Sequence, residues 1–353
     1  MSFDLTNLLR ENIKNLTPYS SARDEFKGEA SILLDANENA FGSPLSTAYN
    51  RYPDPLQWKV KHKLATIKGV PAENIFLGNG SDEPIDILFR AFCRPGVDNV
   101  IIVPPTYGMY EVSANINDVA IKKVNLTKDF QLDLDKIADN IDAKTKLIFI
   151  CSPNNPTGNS IRRQDIETIL VNFNGIVVID EAYINFSKQP SFTKELAEFE
   201  NLVVLQTLSK AWGLAALRLG MAFASKEIIS VFNKIKPPYN INQATQDLVL
   251  EALERVDEVN MWIRQTITER NWLINELNKI SQVAHVYDSD ANFILARLHD
   301  PRGLYEALVR QGIIVRDRSK VELCEGCLRI TIGKSDENQK LISEIKEFYN
   351  NIA

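Results

Sequence analysis

The sequence NLVVLQTLSKAWGLAALRLG, residues 201–220, carries the clearest fold signal of the chain. It begins with an unbroken apolar run, Leu202 to Leu205, and turns polar at Thr207, Ser209 and Lys210. A short apolar run with such a boundary is typical of a strand buried on both faces, as in parallel sheets covered by helices. Open α/β sheets bind their ligands at the carboxyl ends of such strands. The stretch therefore predicts a buried strand with a candidate site at its end.

Similar runs lie on both sides of this strand and alternate with helical patterns such as Asp82–Cys93. The other predicted strands are Asn74–Leu77, Val100–Val103, Ala120–Val124, Lys146–Ile150, Gly175–Ile179 and Gly220–Ala224. Alternation of this kind favours a mainly parallel sheet with helices on both faces. We therefore predict an α/β fold whose large domain contains a mainly parallel seven-stranded sheet.

The pattern changes after residue 242. One or two long helices are predicted between Asn242 and Ile280, and strands and helices of a smaller α+β domain follow. The predicted elements of that domain are strands Val283–Tyr287, Asn292–Arg297, Ile313–Arg316 and Cys327–Ile332 and helices Pro301–Gln311 and Asp336–Tyr349. We predict an N-terminal arm at 1–28, a large domain at 45–250, and a small domain formed by 29–44 and 251–353.

Composition narrows the function classes. The chain has 353 residues, a net charge of -6 and no apolar run near the roughly 18 to 20 residues that span a bilayer, so neither nucleic acid nor membrane is an expected partner. Four cysteines are too few for a disulfide framework in this length, which favours a reducing compartment and a cytoplasmic location. Cys324 and Cys327 form a CxxC pair, but zinc needs further ligands at matching spacing, so we predict no metal site.

Polar motifs follow two other predicted strands. The sequence DEAY, residues 180–183, follows one run, and CSPNNPTG, residues 151–158, follows another. Each motif taken alone has an ordinary structural explanation: Asp and Glu cap turns, Asn-Pro pairs mark turns, and a lone lysine such as Lys210 is usually solvated. At strand ends of one sheet, the same side chains can instead converge on a ligand.

A glycine turn, LGNGSDE at residues 77–83, leads from the first strand into a helix. Free amides and the positive end of the helix dipole favour a phosphate at such a turn. A dinucleotide fingerprint would require a third glycine at Glu83, and no GxxxxGK[ST] sequence is present, so both nucleotide interpretations are weak. A nicotinamide-dependent oxidoreductase would rest on this turn alone.

Considered together, these motifs resemble the aminotransferases of the aspartate aminotransferase superfamily, fold type I, over nearly the whole chain. The resemblance lies in Ser152–Gly158, Asp180–Tyr183, Ser209-Lys210 and Arg218, in matching order and spacing. Further segments resemble the histidinol-phosphate aminotransferase family of class II aminotransferases. They are residues 12–23 (NIKNLTPYSSAR), 35–39 (DANEN), 51–53 (RYP), 104–110 (PPTYGMY), 314–317 (IVRD) and 328–333 (LRITIG).

The resemblance implies pyridoxal 5′-phosphate as cofactor and assigns catalytic roles to its ring-facing residues. Lys210 is implied to hold the cofactor as a Schiff base and to shuttle the substrate proton. Asp180 is implied to pair with the pyridine nitrogen, Tyr183 and Asn155 to bond the ring oxygen, and Tyr107 to stack on the ring. The cofactor phosphate would lie on the start of the helix at residue 82. The residues implied for that phosphate are Ser81, Asp82, Thr207, Ser209 and Arg218.

The resemblance also assigns residues to the substrate and to a second subunit. Tyr52 is implied to reach the cofactor phosphate of a neighbouring subunit, which implies a homodimer with shared active sites. The substrate phosphate is assigned to Arg316 and Arg329 with help from Tyr19. The imidazole end of the substrate is assigned to Asn37 and Glu38.

The reaction implied by the family is transamination of L-histidinol phosphate with 2-oxoglutarate to imidazole-acetol phosphate and glutamate, in L-histidine biosynthesis. An aromatic amino acid aminotransferase, a phosphothreonine decarboxylase-like enzyme and a cofactor-binding protein without turnover are the alternatives. Two positions depart from the family pattern. Ala216 replaces a frequent glycine, and Arg318 adds a positive charge close to Arg316, which leaves open how the arginines divide the acidic group.

Overall fold

A computed structural model describes residues 3–20 and 32–352 of the chain. Its large sheet has seven strands in the order β1-β7-β6-β5-β4-β2-β3. The strands are β1 (Ile75–Asn79), β2 (Asn99–Ile102), β3 (Ala120–Lys123), β4 (Thr145–Cys151), β5 (Ile176–Asp180), β6 (Leu202–Thr207) and β7 (Leu219–Phe223). Strands β3, β2, β4, β5 and β6 run parallel to one another, whereas β7 runs antiparallel to both β6 and β1. The prediction of a mainly parallel seven-stranded sheet is therefore confirmed.

The central strands are buried on both faces. Consecutive residues of β5 alternate between two apolar cores: Val177 and Ile179 contribute to one core, and Ile176 and Val178 to the other. This alternation follows from the period of two along a strand, and it explains why β5 has an unbroken apolar sequence. Because every side chain up to Ile179 faces a core, the first polar side chain appears at the strand end, at Asp180.

Helices cover the sheet on both faces. The helices up to residue 252 are Leu5–Leu8, Glu11–Lys14, Trp58–Lys68, Asp82–Phe92, Met109–Ile116, Leu134–Asn140, Arg163–Asn172, Lys226–Ile235 and Gln243–Ala252. Short helical turns occur at Ala72–Asn74, Ile184–Phe186, Phe192–Glu195 and Ala215–Leu217. The helix predicted at Asp82–Cys93 is confirmed to within one residue. Its buried face includes Ile85, Leu88 and Phe89, at the spacing that identified it.

A second, antiparallel sheet of four strands follows the long helix Val256–Leu277, in the order β10-β11-β9-β8. Its strands are β8 (Val283–Val286), β9 (Phe293–Leu298), β10 (Arg316–Asp317) and β11 (Cys327–Thr331), with helices Pro301–Arg310 and Ser335–Ile352. The strand predicted at Ile313–Arg316 forms only as the short β10, because pairing with β11 begins at Arg316. A third apolar core lies between this sheet and its helices.

Within residues 3–20 and 32–352, every helix falls short of the length and apolar character needed to cross a membrane.

Candidate active site

The carboxyl ends of β4, β5 and β6 open into a cavity of about 710 Å³. It is lined by most of the side chains that the sequence singled out. These are Ser81, Asp82, Tyr107, Asn155, Asp180, Tyr183, Thr207, Ser209, Lys210, Arg218, Arg316 and Arg329. Strand register explains the convergence, since Cys151 lies beside Asp180 and Asp180 beside Leu205 in adjacent parallel strands. Motifs far apart in sequence therefore end at the same edge of the sheet.

Lys210 lies in the turn after β6, with its amine directed along the cavity wall. Its Nζ is 5.6 Å from the centroid of the Tyr183 ring. Burial of the amine in the cavity lowers the pKa of Lys210, and the positive charge of Arg329 lowers it further. The negative charge of Asp180 opposes this shift. The net shift of the pKa is downward, toward the neutral amine, which is the form that can act as nucleophile or base.

Asp180 is the most enclosed carboxylate of the cavity, with 3% of its surface exposed. Its Oδ2 accepts a hydrogen bond from Tyr110 Oη at 2.7 Å, and its Oδ1 accepts one from the amide of Ala182 at 3.0 Å. Burial raises the pKa of Asp180 despite these bonds. The carboxylate is therefore oriented by two donors and is well placed for a cationic partner.

Sequence reasoning did not assign a role to Tyr110. The residue is fully buried and stacks on Phe149 with ring centroids 4.9 Å apart, while its hydroxyl reaches Asp180. Its position three residues after Tyr107 was the available signal, and the two rings do meet edge to face, with centroids 5.6 Å apart. Only its packing against β4 and β5 shows that the hydroxyl meets the carboxylate.

The glycine turn after β1 forms one end of the cavity. The amide of Gly80 donates to the carbonyl of Arg218 at 2.6 Å, and both residues have positive φ, +76° and +54°. The positive φ of Gly80 favours glycine at this position, and a Cβ there would also displace the Arg218 guanidinium, whose Nη2 would lie 2.5 Å away. Thr207 and Ser209 hydroxyls lie 3.0 Å apart beside it. Amides, hydroxyls and a guanidinium thus form a cup suited to a phosphate.

Gly220 allows this cup to form. It pairs with Gly78 across β1 and β7, and a Cβ at Gly220 would lie 2.2 Å from the amide nitrogen of Ser81. Any side chain there would displace the start of the helix Asp82–Phe92. The backbone of the turn can approach β7 only because Gly220 has no side chain.

Three arginines line the opposite end of the cavity. Arg316 and Arg329 are directly opposite each other on β10 and β11, and Arg318 follows on the same side. Burial and then the positive charge of Arg318 lower the pKa of Arg329. The Nε of Arg318 is buried without a hydrogen-bond partner among the described residues. Such a cluster is suited to a ligand with more than one negative charge.

Arg329 also links the arginine cluster to the centre of the cavity. Its Nη1 donates a short hydrogen bond to Oδ1 of Asn155, and its guanidinium carbon lies 5.2 Å from the Phe293 ring centroid. This bond orients the side-chain amide of Asn155, whose Nδ2 can still donate to a ligand. A hydrogen bond therefore links the arginine cluster to Asn155 in the centre of the cavity.

Four predicted site residues lie outside this cavity. Asn37, Glu38 and Tyr52 line a separate open groove of about 490 Å³, here called the Tyr52 groove, whose wall includes Tyr239. Glu38 accepts hydrogen bonds from the amide of Tyr52 and from a guanidinium NH of Arg51, both at 2.6 Å. Tyr19 is exposed on the surface and lines neither cavity nor groove. Residues 21–31, which include the end of the predicted arm, lie outside the described residues.

The residues that the structure describes contain no cluster of three or more His, Cys, Asp or Glu side chains that could hold a metal ion. Cys324 and Cys327 are buried, and burial raises the pKa of both thiols.

Comparison with known proteins places this geometry in a family. Residues 31–345 match the family model described as "Aminotransferase class I and II". The histidinol-phosphate aminotransferase of Cytophaga hutchinsonii is 57% identical over 99% of this chain and 100% of its own length. That of Parabacteroides distasonis is 56% identical over 97% of this chain and 98% of its own. The chain belongs to the histidinol-phosphate aminotransferase family. The family resemblance found in the sequence is confirmed.

Solved structures of this family share its fold. The histidinol-phosphate aminotransferase of Clostridium acetobutylicum has a TM-score of 0.78 at 25% identity, covering 86% of this chain and 92% of its own. That of Sinorhizobium meliloti, in complex with pyridoxal-5′-phosphate, has a TM-score of 0.79 at 21% identity, covering 90% of each chain. The fold type I prediction is confirmed.

Proposed function

We propose that this chain catalyses pyridoxal-phosphate-dependent transamination of L-histidinol phosphate with 2-oxoglutarate, giving imidazole-acetol phosphate and glutamate in L-histidine biosynthesis. One observation carries the proposal: a single cavity holds a phosphate cup at one end and an arginine cluster at the other. Lys210 is near enough to both ends that Arg218 and Arg329 each lower its pKa. Relatives with more than half of their residues identical to this chain carry the same activity in their names.

The residues of the cavity fit pyridoxal phosphate. The cup at Gly80 and Arg218 suits its phosphate, and the buried Asp180 carboxylate suits a pyridinium nitrogen, because an opposite charge offsets the burial that raises its pKa. The Lys210 amine can attach to the aldehyde carbon. When bound, the cofactor supplies an electron sink for the electrons left when the substrate carbon loses its proton.

The side chains around the ring position would divide the work of binding and proton transfer. Lys210 would hold the cofactor covalently and, once freed by substrate, carry the proton at Nζ; burial and the charge of Arg329 lower its pKa, which makes release of that proton easier. Asp180, oriented by Tyr110, would keep the ring nitrogen protonated. Tyr183 and the Nδ2 of Asn155 would donate to the ring oxygen, and the Tyr107 ring would stack against the face.

The phosphate cup would bind through backbone and side-chain donors. The amides of Ser81 and Asp82 lie at the start of a helix, where the helix dipole favours an anion. Thr207 and Ser209 would contribute hydroxyls, and Arg218 two parallel N–H donors. The Arg218 guanidinium lies 3.6 Å from the carboxylate of Asp82, a contact that a phosphate would compete for.

The substrate phosphate would be bound by the arginine cluster, with Arg316 and Arg329 as direct contacts and Tyr19 closing over them. The second substrate, 2-oxoglutarate, carries a distal carboxylate that the same arginines can bind, which explains how one site serves two acidic molecules. Asn37 and Glu38 line the Tyr52 groove and not this cavity, so they would meet the imidazole end where the groove of a neighbouring subunit adjoins the site.

A homodimer would bring the Tyr52 groove to the neighbouring active site. Tyr52 is 51% exposed, and Tyr49, which lines the same groove, is 39% exposed. Exposed aromatic rings that share a groove are suited to contact with a partner surface. Tyr52 would donate to the cofactor phosphate of the partner subunit. A cytoplasmic location accords with an enzyme of amino-acid biosynthesis with four free cysteines.

The domain division would follow the two sheets. The large cofactor-binding domain would comprise residues 45–250, the small domain 29–44 and 251–353, and the arm 1–28. The cavity would then lie between domains, since Lys210 and Asp180 belong to one and Arg316 and Arg329 to the other.

Competing steady-state assays with histidinol phosphate, phenylalanine and phosphothreonine test the substrate. We expect the highest kcat/KM with histidinol phosphate, and histidinol without the phosphate should serve as the matched control with a much lower value. A higher kcat/KM for phenylalanine would identify an aromatic aminotransferase, and release of CO₂ from phosphothreonine a decarboxylase. Absence of amino transfer from all donors would contradict enzymatic turnover.

A further inference from the structure

The side chain of Asn240 bonds to two segments that lie apart in the sequence, one at Leu77 and Glu83 and the other at Gln57. It lies in the segment between the helices Lys226–Ile235 and Gln243–Ala252. Its Nδ2 donates to the carbonyl of Leu77 at 2.9 Å and to both carboxylate oxygens of Glu83, at 3.1 and 3.2 Å. Its Oδ1 accepts from Gln57 Nε2 at 3.3 Å. Both ends of one amide are therefore used.

The Nδ2 side of Asn240 holds the phosphate cup. Glu83 accepts a hydrogen bond from the amide of Asn79 at 2.5 Å, and Asn79 is followed directly by Gly80 and Ser81. The carbonyl of Leu77 belongs to the same strand, β1. Asn240 thus bonds to the strand that enters the glycine turn and to the carboxylate that fixes the first amide of that turn.

The Oδ1 side of Asn240 holds the segment that carries Tyr52. Gln57 Nε2 also donates to the carbonyl of Pro55 at 2.8 Å. Lys236, which is buried, donates to Pro55 O at 2.8 Å and to Pro238 O at 2.7 Å. The segments 53–57 and 236–240 are therefore tied together by side chains shielded from water, where hydrogen bonds are strengthened.

An aromatic contact completes the connection. Tyr239, the residue before Asn240, stacks on Tyr52 with ring centroids 4.5 Å apart and planes 17° apart. The position of the Tyr52 ring therefore depends on the segment that Asn240 fixes.

We infer that Asn240 is a positioning residue that holds two phosphate-binding elements in register: the turn 79–81 of its own active site and Tyr52, which serves the partner's site. The inference rests on the proposed function, which gives Tyr52 that destination. The amides of a phosphate cup bind well only when they are already oriented, since ordering them on binding reduces affinity. One side chain then sets cofactor affinity in both sites of the dimer.

Cofactor affinity of the apoprotein is the first test. Asn240→Ala should raise the Kd for pyridoxal phosphate by roughly 10- to 100-fold, the effect of losing a hydrogen bond to a charged group. Asn172→Ala is the matched control, because the Asn172 side chain donates to the carbonyl of Thr168 on an exposed helix face and makes no other hydrogen bond to the described residues. Should the alanine variant fail to fold, Asn240→Asp keeps the size and loses the Nδ2 donor, with the same expectation. An unchanged Kd in a folded variant overturns the inference.

Hybrid dimers separate positioning from general structure. In the first hybrid, one chain carries both Lys210→Ala and Asn240→Ala, and the other chain is wild type. The only site that borohydride can reduce is then the site of the wild-type chain. Its own phosphate cup is intact, but its Tyr52 comes from the altered chain. Weaker cofactor binding in this hybrid, relative to a hybrid with Lys210→Ala alone, is the expected result. Equal binding in the two hybrids overturns the cross-site part.

Hydrogen exchange keeps the inference testable if the proposed function fails. If the wild-type apoprotein takes up no pyridoxal phosphate, the function proposal fails, yet Asn240→Ala should still speed exchange at the amides of Asn79 and Gly80 by roughly 10-fold or more. Unchanged exchange at both amides would then reject the positioning role itself.

Discussion

In the cavity around Lys210 the carboxylate of Asp180 is 3% exposed, whereas in the Tyr52 groove Tyr52 is 51% and Tyr49 39% exposed. Burial raises the pKa of Asp180 and strengthens the hydrogen bond that it accepts from Tyr110. The groove presents exposed aromatic rings, and covering them with another surface would lower the free energy by removing apolar area from water. The comparison teaches that the groups proposed for covalent chemistry lie in one cavity of the chain, whereas the groove is the surface that we propose for contact with a second subunit.

The largest expected effect lies in the cavity. Lys210→Ala removes the amine that we propose holds the cofactor and carries the proton, so kcat should fall by about 10³-fold or more. The visible, borohydride-reducible chromophore should disappear. An unchanged spectrum in this variant would overturn the assignment of Lys210.

Asp180→Asn should come next. The variant keeps the shape and the acceptor for Tyr110 but removes the negative charge facing the ring nitrogen, so kcat should fall by roughly 10- to 100-fold, the range for a hydrogen bond to a charged group. Steady-state rates measure this. Retention of the full kcat would show that Asp180 is a structural group.

Glu181→Gln is the control for Asp180→Asn, because the two carboxylates are adjacent and both buried. Glu181 faces away from the cavity and accepts from Phe192 N at 2.7 Å and Gln206 Nε2 at 2.9 Å. Activity should be nearly unchanged.

Burial raises the pKa of Glu181 from 4.5 to about 7, so the folded protein binds that proton more tightly than the unfolded chain. As the pH rises from 4.5 to about 7, the free energy of unfolding of the wild type should therefore fall by roughly 1 to 3 kcal/mol relative to that of Glu181→Gln.

Arg329→Gln should shift the pH dependence of cofactor attachment. The charge of Arg329 lowers the pKa of Lys210, so its removal should raise that pKa and leave less neutral amine at a given pH. The midpoint for chromophore formation by the apoprotein should move to higher pH by about one unit or less. Arg316→Gln is the control and should give a smaller shift. A midpoint moved to lower pH would contradict the electrostatic account.

The smallest effect is expected in the groove. Tyr52→Phe removes one neutral hydroxyl, so the Kd for pyridoxal phosphate should rise by roughly 2- to 10-fold, with kcat nearly unchanged. In hybrid dimers the loss should appear at the site of the chain that does not carry the substitution. A loss confined to the variant chain's own site would mean that the groove does not serve a partner.

The sequence by itself determined the class of fold and most of the cavity. Apolar runs such as Ile176–Ile179 fix buried strands through their residue types, and polar residues directly after them must lie at the sheet edge, because parallel strands end together. This local rule located Asp180, Lys210 and the glycine turn at Gly80, and matching order identified the family.

Tertiary structure alone decided the contacts between segments distant in sequence. The bond of Tyr110 to Asp180, the opposition of Arg316 and Arg329, and the bonds of Asn240 to two separate segments depend on sheet register and helix packing. It also placed Asn37, Glu38 and Tyr52 away from the Lys210 cavity. Residue type and spacing carry information over a few residues along a helix or strand, whereas these contacts depend on how whole elements pack.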